Sequence, residues 1–147
     1  MARPPSTHPT DGELEILRVL WDRGPSSLSE ICEALRRQRD VATTTVATML
    51  RVMLDKRLVR RRRAAASRGR RTTGHKWSAV VTQSAAARSM VGKLVDGIFD
   101  GSASRLVAHL VEAGQLSDTE LSELRTLVES ESKHSSRKSA KSHKSKN

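Results

Sequence analysis

The amino-acid sequence predicts a mainly α-helical fold with one small β-hairpin, and three observations predict it. Apolar residues recur at helical spacing over most of the 147 residues, and three of the stripes open with Ser or Thr followed three residues later by Glu: Thr10 with Glu13, Ser27 with Glu30, and Ser117 with Glu120. One stretch, Leu58 to Val81, reads instead as two short strands around a polar, glycine-containing loop. Aromatic residues are 2% of the chain and cysteine occurs once, so the core is aliphatic, with no intramolecular disulfide and no multi-cysteine metal site expected.

Residues 1–9 hold three of the four prolines and no periodic pattern, the signature of a flexible arm. The first helix starts at the Thr10/Glu13 capping box and carries Leu14, Ile16, Leu17, Val19, Leu20 and Trp21 until Gly24-Pro25 stops it. The second opens at Ser27, with Leu28, Ile31, Cys32 and Leu35 on one face. Cys32 on that stripe reads as a small buried hydrophobe. A third helix runs from about Ala42 to Asp55. With Val46 at the centre of its buried face, Ala42, Met49, Leu50 and Met53 lie beside it, and Thr44, Ala47, Thr48, Arg51, Val52 and Asp55 lie opposite. Leu58-Val59 and Arg60–Arg63 make one strand, Ala64–Gly74 the loop, and His75–Val81 the returning strand, with Trp77 packing it against the helices.

Beyond the hairpin, Thr82 caps a helix through Met90, Val91, Leu94, Val95 and Ile98. A short helix with Leu106, Val107, Leu110 and Val111 is broken at Gly114, and the Ser117/Glu120 box leads Leu121, Leu124, Leu127 and Val128. Helical units this small are marginal alone, so these stripes, Leu106, Val107, Leu110, Leu121, Leu124, Leu127 and Val128 above all, are expected to bury themselves against a second copy. The expected organisation is an arm (1–9), a helix-and-hairpin domain (10–81), a helical dimerisation domain (82–130) and a disordered basic tail (131–147).

The charge is concentrated. Lys and Arg number 27 against 16 Asp and Glu, a net +11. Lys56 to Lys76 holds ten basic residues and no acid, and Glu131 to Asn147 holds six against one. Those stretches carry +15 together, leaving −4 for the rest. Runs this dense fit a polyanion partner. Neither has an apolar face to insert into a membrane, and two Trp and one Phe are too few for the stacking platforms of single-strand RNA binders.

A helix–helix–helix–basic hairpin order is that of a winged helix-turn-helix. Thr43, Thr44, Thr45 and Thr48 are weak helix formers, yet they open the third helix on the side away from the core, followed by Arg51. Short hydroxyls let a helix approach the major groove closely and offer donors, acceptors and methyls to base edges. Arg60, Arg61, Arg62, Arg63, Arg68, Arg70, Arg71 and Lys76 supply a wing for the phosphate backbone or the minor groove.

Enzyme chemistry finds little footing. The five histidines are scattered, no GxGxxG, P-loop or HExxH occurs, and Asp11, Glu13 and Glu15 are spaced as an acidic first helical turn. No catalytic residue, metal ligand or cofactor is expected. No run of 18 apolar residues exists and MARPPSTHP lacks a signal-peptide stretch, so the expected setting is a reducing cytosol, on the nucleoid.

Asp11–Arg63 resembles the DNA-binding domain of the bacterial penicillinase-repressor family, the BlaI/MecI type. The likeness rests on an acidic start, Glu15-Ile16-Leu17-Arg18-Val19-Leu20-Trp21, the Gly24 break, and Val41-Ala42-Thr43-Thr44-Thr45-Val46-Ala47-Thr48-Met49-Leu50 leading into Lys56. It continues through Phe99-Asp100-Gly101-Ser102 and Leu106-Val107 into Leu116–Val128. The resemblance implies a winged-helix domain, a helical dimerisation domain and repression from an inverted-repeat operator. Val52-Met53 stands where the family usually has Arg-Leu, and Arg57 where it usually has Gly; Arg51, adjacent on the helix, is placed to substitute for the missing arginine. Relatives are inactivated by a protease at an Asn-Phe bond whose matching position here is His109-Leu110, and the paired Cys-x-Cys motifs of the copper-responsive branch are missing. The expected function is a homodimeric, DNA-binding transcriptional repressor acting on double-stranded DNA. An architectural, DNA-compacting protein is the alternative, and an RNA-binding adaptor a third.

Overall fold

Thr10 and Ser27 each begin a helix by the same reciprocal contact. Their hydroxyls accept the N–H of Glu13 and Glu30, and those carboxylates accept the N–H of Thr10 (3.0 Å) and Ser27 (2.6 Å). A computed structural model of the chain describes residues 8–64 and 74–142, side chains of 139–142 excepted. The elements run α1 (Asp11–Arg23), α2 (Leu28–Arg36), α3 (Thr43–Asp55), β1 (Val59–Arg63), β2 (His75–Ala79), α4 (Gln83–Ile98), α5 (Ala103–Glu112) and α6 (Asp118–Ser142). The fold is mainly helical with a hairpin wing, a winged helix-turn-helix. Arg68, Arg70 and Arg71 lie outside the described residues.

The backbone forms two compact units, Met1–Lys93 and Leu94–Asn147. In the first, Ile16 and Leu17 of α1, Ile31 of α2, and Val46, Leu50 and Met53 of α3 are fully enclosed. β1 and β2 are antiparallel, with Val59 opposite Ala79 and Arg61 opposite Trp77. Trp77 joins the helical core at 7% exposure, as its alternation with Lys76 predicts. Three further bonds fix the returning strand: Ser26 and Trp77 exchange backbone hydrogen bonds of 2.9 and 2.8 Å, and the Trp21 indole donates to the Val81 carbonyl at 2.9 Å. The hairpin is therefore clamped to the α1–α2 turn.

α3 ends in a Schellman turn. Arg57 sits at φ 60°, its N–H donating to Leu54 and that of Leu58 to Met53, while Leu58 enters the core. Lys56, just before it, does not point to solvent. Its ammonium meets the Glu13 carboxylate at 2.9 and 3.0 Å, with both side chains under 10% exposed. Glu13 thus serves twice, capping α1 and anchoring the end of α3.

Three boundaries differ from expectation. The arm is held at its end, because Pro9 is buried, the His8 carbonyl accepts from Lys56 and the His8 ring meets Ser89 of α4. The first unit runs past residue 81, because Ala86 of α4 is buried and Thr82 caps that helix through the N–H of Ala85. The tail is not disordered from 131: α6 continues to Ser142. No Pro or Gly follows Gly114 to stop it, and Lys and Arg are good helix formers whose charge suits a helix C-terminus.

The second unit has a different character. Among the described residues from Leu94 to Lys138 none is buried. Leu106, Leu110, Leu116 and Leu121 are half-buried, whereas Ile98, Leu127 and Val128 are 60–68% exposed. Gly114, at φ 65°, separates α5 from α6, and a Ser117/Glu120 capping box restarts the helix.

Candidate nucleic-acid interface

α3 has two chemically distinct sides. Val46, Leu50 and Met53 are buried, whereas Thr44, Thr45, Thr48, Arg51 and Val52 are exposed. Its N-cap is Ala42, which offers no side-chain acceptor, so the first-turn N–H groups carry no cap and present the positive end of the helix dipole. Thr43 accepts a 2.9 Å hydrogen bond from the Arg36 guanidinium at the end of α2, tying the two helices together beside that exposed end. The Thr48 hydroxyl donates to the Thr44 carbonyl at 2.9 Å. Thr48 therefore presents a methyl and an acceptor outward, its proton already engaged.

The wing carries the second set of cations. Arg60, Arg61, Arg62 and Arg63 are all exposed on β1, and strand alternation sends Arg60 and Arg62 to one face and Arg61 and Arg63 to the other. Arg61 lies over the Trp77 ring, 5.6 Å from its centroid, so a buried aromatic orients an exposed guanidinium. Lys76 is committed differently. Its ammonium is 3.0 Å from the Glu30 carboxylate at the start of α2. The N–H of Ser27, and after it Lys76, hold the Glu30 carboxyl below the usual carboxylate range.

α2, α3 and the wing meet around an open cleft of about 370 Å³, lined among others by Ser27, Ser29, Arg51, Arg61 and His75. Arg51 and Arg61, far apart in sequence, thus face one space between the exposed side of α3 and the hairpin. Of the residues singled out in the sequence, Thr44, Thr48, Arg51 and Arg60–Arg63 stand on the surface of this unit, and Thr43 and Lys76 have protein partners. Sequence reading missed Arg36 and Glu30 as positioning groups; the capping-box spacing was the one signal for Glu30, and nothing local pointed to its pairing with Lys76. His109 and Leu110 lie inside α5, the imidazole packed on Phe99 at 5.8 Å between ring centroids.

Among the described residues no group of three or more His, Cys, Asp or Glu is placed to hold a metal ion, and no helix is long and apolar enough to cross a membrane. Three helices, a clamped basic hairpin and an exposed Thr/Arg helix face define a winged-helix DNA-binding protein. Residues 9–130 match the family model described as Penicillinase repressor, and the chain belongs to that family. It is a DNA-binding transcriptional repressor. Among curated proteins none matches it.

Proposed function

We propose that the chain represses transcription as a homodimer on an inverted-repeat operator, in a bacterial cytosol and on the nucleoid. In this reading α3 enters the major groove, Thr44, Thr48 and Arg51 read base edges, and the wing arginines hold the adjacent backbone. The observation that carries it is the shared cleft of Arg51 and Arg61, which joins the readout face to the basic hairpin within one compact unit. The assembly is supported by the second unit: helices with exposed Val107, Val111, Leu127 and Val128, and with none of their described side chains buried, need a covering surface. Two copies also supply two half-sites, which turns two weak modules into a tight binder.

The test is selection of duplexes from a random library by the full-length protein. The expected product is a palindromic site preferred by roughly 10³-fold or more over random duplex. The four consecutive arginines of β1 favour a second reading, an architectural DNA-compacting protein, and it predicts no enrichment at all. The Asn-Phe bond cleaved in the relatives is replaced by His109-Leu110, so a protease that relieved repression here would have to cut a different bond sequence.

A further inference from the structure

The matched family span ends at residue 130, and the six Lys and Arg of the last 17 residues all lie beyond it. α6 does not end there but continues to Ser142, which gives part of that basic segment a fixed geometry. At about 100° per residue, Lys133, His134, Arg137 and Lys138 fall on one face, and Ser132, Ser135 and Ser136 on the remainder. All seven are exposed. Ser132 and Ser136 donate back to the carbonyls of Val128 (2.9 Å) and Ser132 (3.0 Å), so those hydroxyl protons are engaged.

The cations are not engaged. Elsewhere the chain pairs Lys56 with Glu13, Lys76 with Glu30, Arg39 with Glu15, Arg37 with Glu33 and Arg105 with Asp100, but among the described residues Lys133, Arg137 and Lys138 form no ion pair, as Arg60, Arg61, Arg62 and Arg63 of the wing form none. Favourable interaction with the helix dipole fades beyond the last turn and does not account for Lys133, nine residues before the end of α6. The partner's chemistry follows from what accompanies the stripe. No apolar residue interrupts 129–139, so nothing inserts into a bilayer, and no Phe, Tyr or Trp follows Phe99, so the face lacks the large aromatic platforms on which unpaired bases stack in series. Charge complementarity to a regular polyanion remains.

We propose that the Lys133–Arg137–Lys138 face of α6 is a second contact for the phosphate backbone of duplex DNA, independent of sequence and separate from α3 and the wing. The proposal rests on the DNA-binding reading above. Cations one helical turn apart are spaced by about 6 Å, and a duplex presents one charge per ~1.7 Å of axis, so the stripe finds phosphates in any register. It strengthens binding and steepens its salt dependence without changing base preference.

The experiment compares the full-length chain with its K133Q/R137Q/K138Q variant on a random-sequence duplex and on the selected operator, by anisotropy across a salt series. Glutamine keeps helix propensity, and circular dichroism verifies the fold. Three lost contacts per protomer at about 0.9 each should lower the salt slope by 2–3 for each protomer bound, on both DNAs, so that raising salt from about 50 to 200 mM weakens the unaltered chain roughly 40-fold more than the variant for each protomer bound. The ratio of operator to random affinity should stay constant. Equal slopes overturn this proposal alone, as does a loss confined to single-stranded RNA or phosphatidylglycerol vesicles. Failure of the unaltered chain to bind any duplex overturns the DNA-binding reading with it.

Discussion

Arg57 closes α3 in the left-handed region at φ 60°, where a side chain collides with its own backbone and glycine does not. That explains why the resembling family usually places Gly there. Arg57→Gly is expected to raise stability by about 1 kcal/mol, read as a higher urea midpoint at constant m-value, while removing one cation near the wing. Glu13 and Lys56 make the opposite case. Lys56→Met alone strands a buried carboxylate and should destabilise by about 3 kcal/mol or more. Adding Glu13→Gln should restore most of the loss, because the amide still caps α1 and no charge is left buried. If the double variant were as unstable as the single one, the pair would contribute net attraction beyond its desolvation cost. The capping role of Glu13 was legible from its spacing to Thr10, but its pairing with Lys56 was not: Lys56 read as the first of a basic run, and the residues are 43 apart in sequence.

At the scale of elements, α2 and β2 are joined through the Ser27–Glu30–Lys76 group. Glu30 is held below its ordinary 4.5 in the folded chain, so its contribution to stability is present above that value and is lost as pH falls through the folded one. A Glu30→Gln variant should therefore be less stable than the unaltered chain at neutral pH, and the two denaturation curves should converge on acidification below about pH 4.5. Parallel curves down to pH 3 would remove Glu30 from the acid response. In α3 the division into faces was largely legible from a 3.6-residue period: Val46, Leu50 and Met53 are buried and Thr44, Thr48 and Arg51 exposed, whereas Ala42, expected beside Val46, is the exposed N-cap where the helical period has not begun. Which threonines remain available was not, because back-bonding of Thr48 and capture of Thr43 by Arg36 depend on the folded backbone. Arg51→Ala is expected to lower affinity for the selected operator by about 1–3 kcal/mol with little change on random duplex. Equal losses on both would make Arg51 a phosphate contact. Thr48→Val, which keeps the outward methyl, should bind better than Thr48→Ala.

Across the whole molecule, one unit closes its own core and the other does not. That asymmetry was half legible: stripes such as Leu121, Leu124 and Val128 announce helices in need of cover, but periodicity does not say where one packing unit stops. The expected boundary at residue 81 followed the end of the hairpin pattern, whereas burial of Ala86 and the contact of Ser89 with His8 carry the first unit into α4. The tail misled for a related reason, since lack of an apolar stripe argues against packing and not against a solvated helix. Two truncations separate these boundaries. A chain ending at Lys93 keeps Ala86, Ser89 and the Thr82 cap, and should be a folded monomer that binds a half-site weakly. A chain ending at Val81 loses them, exposing the surface that Ala86 covers, and should unfold at lower denaturant while also remaining monomeric. Sedimentation equilibrium and urea melts of both fragments decide the matter. If the longer fragment still sedimented as a dimer, the exposed faces of α5 and α6 would not be the interface, and the covering surface would have to lie within the winged unit itself.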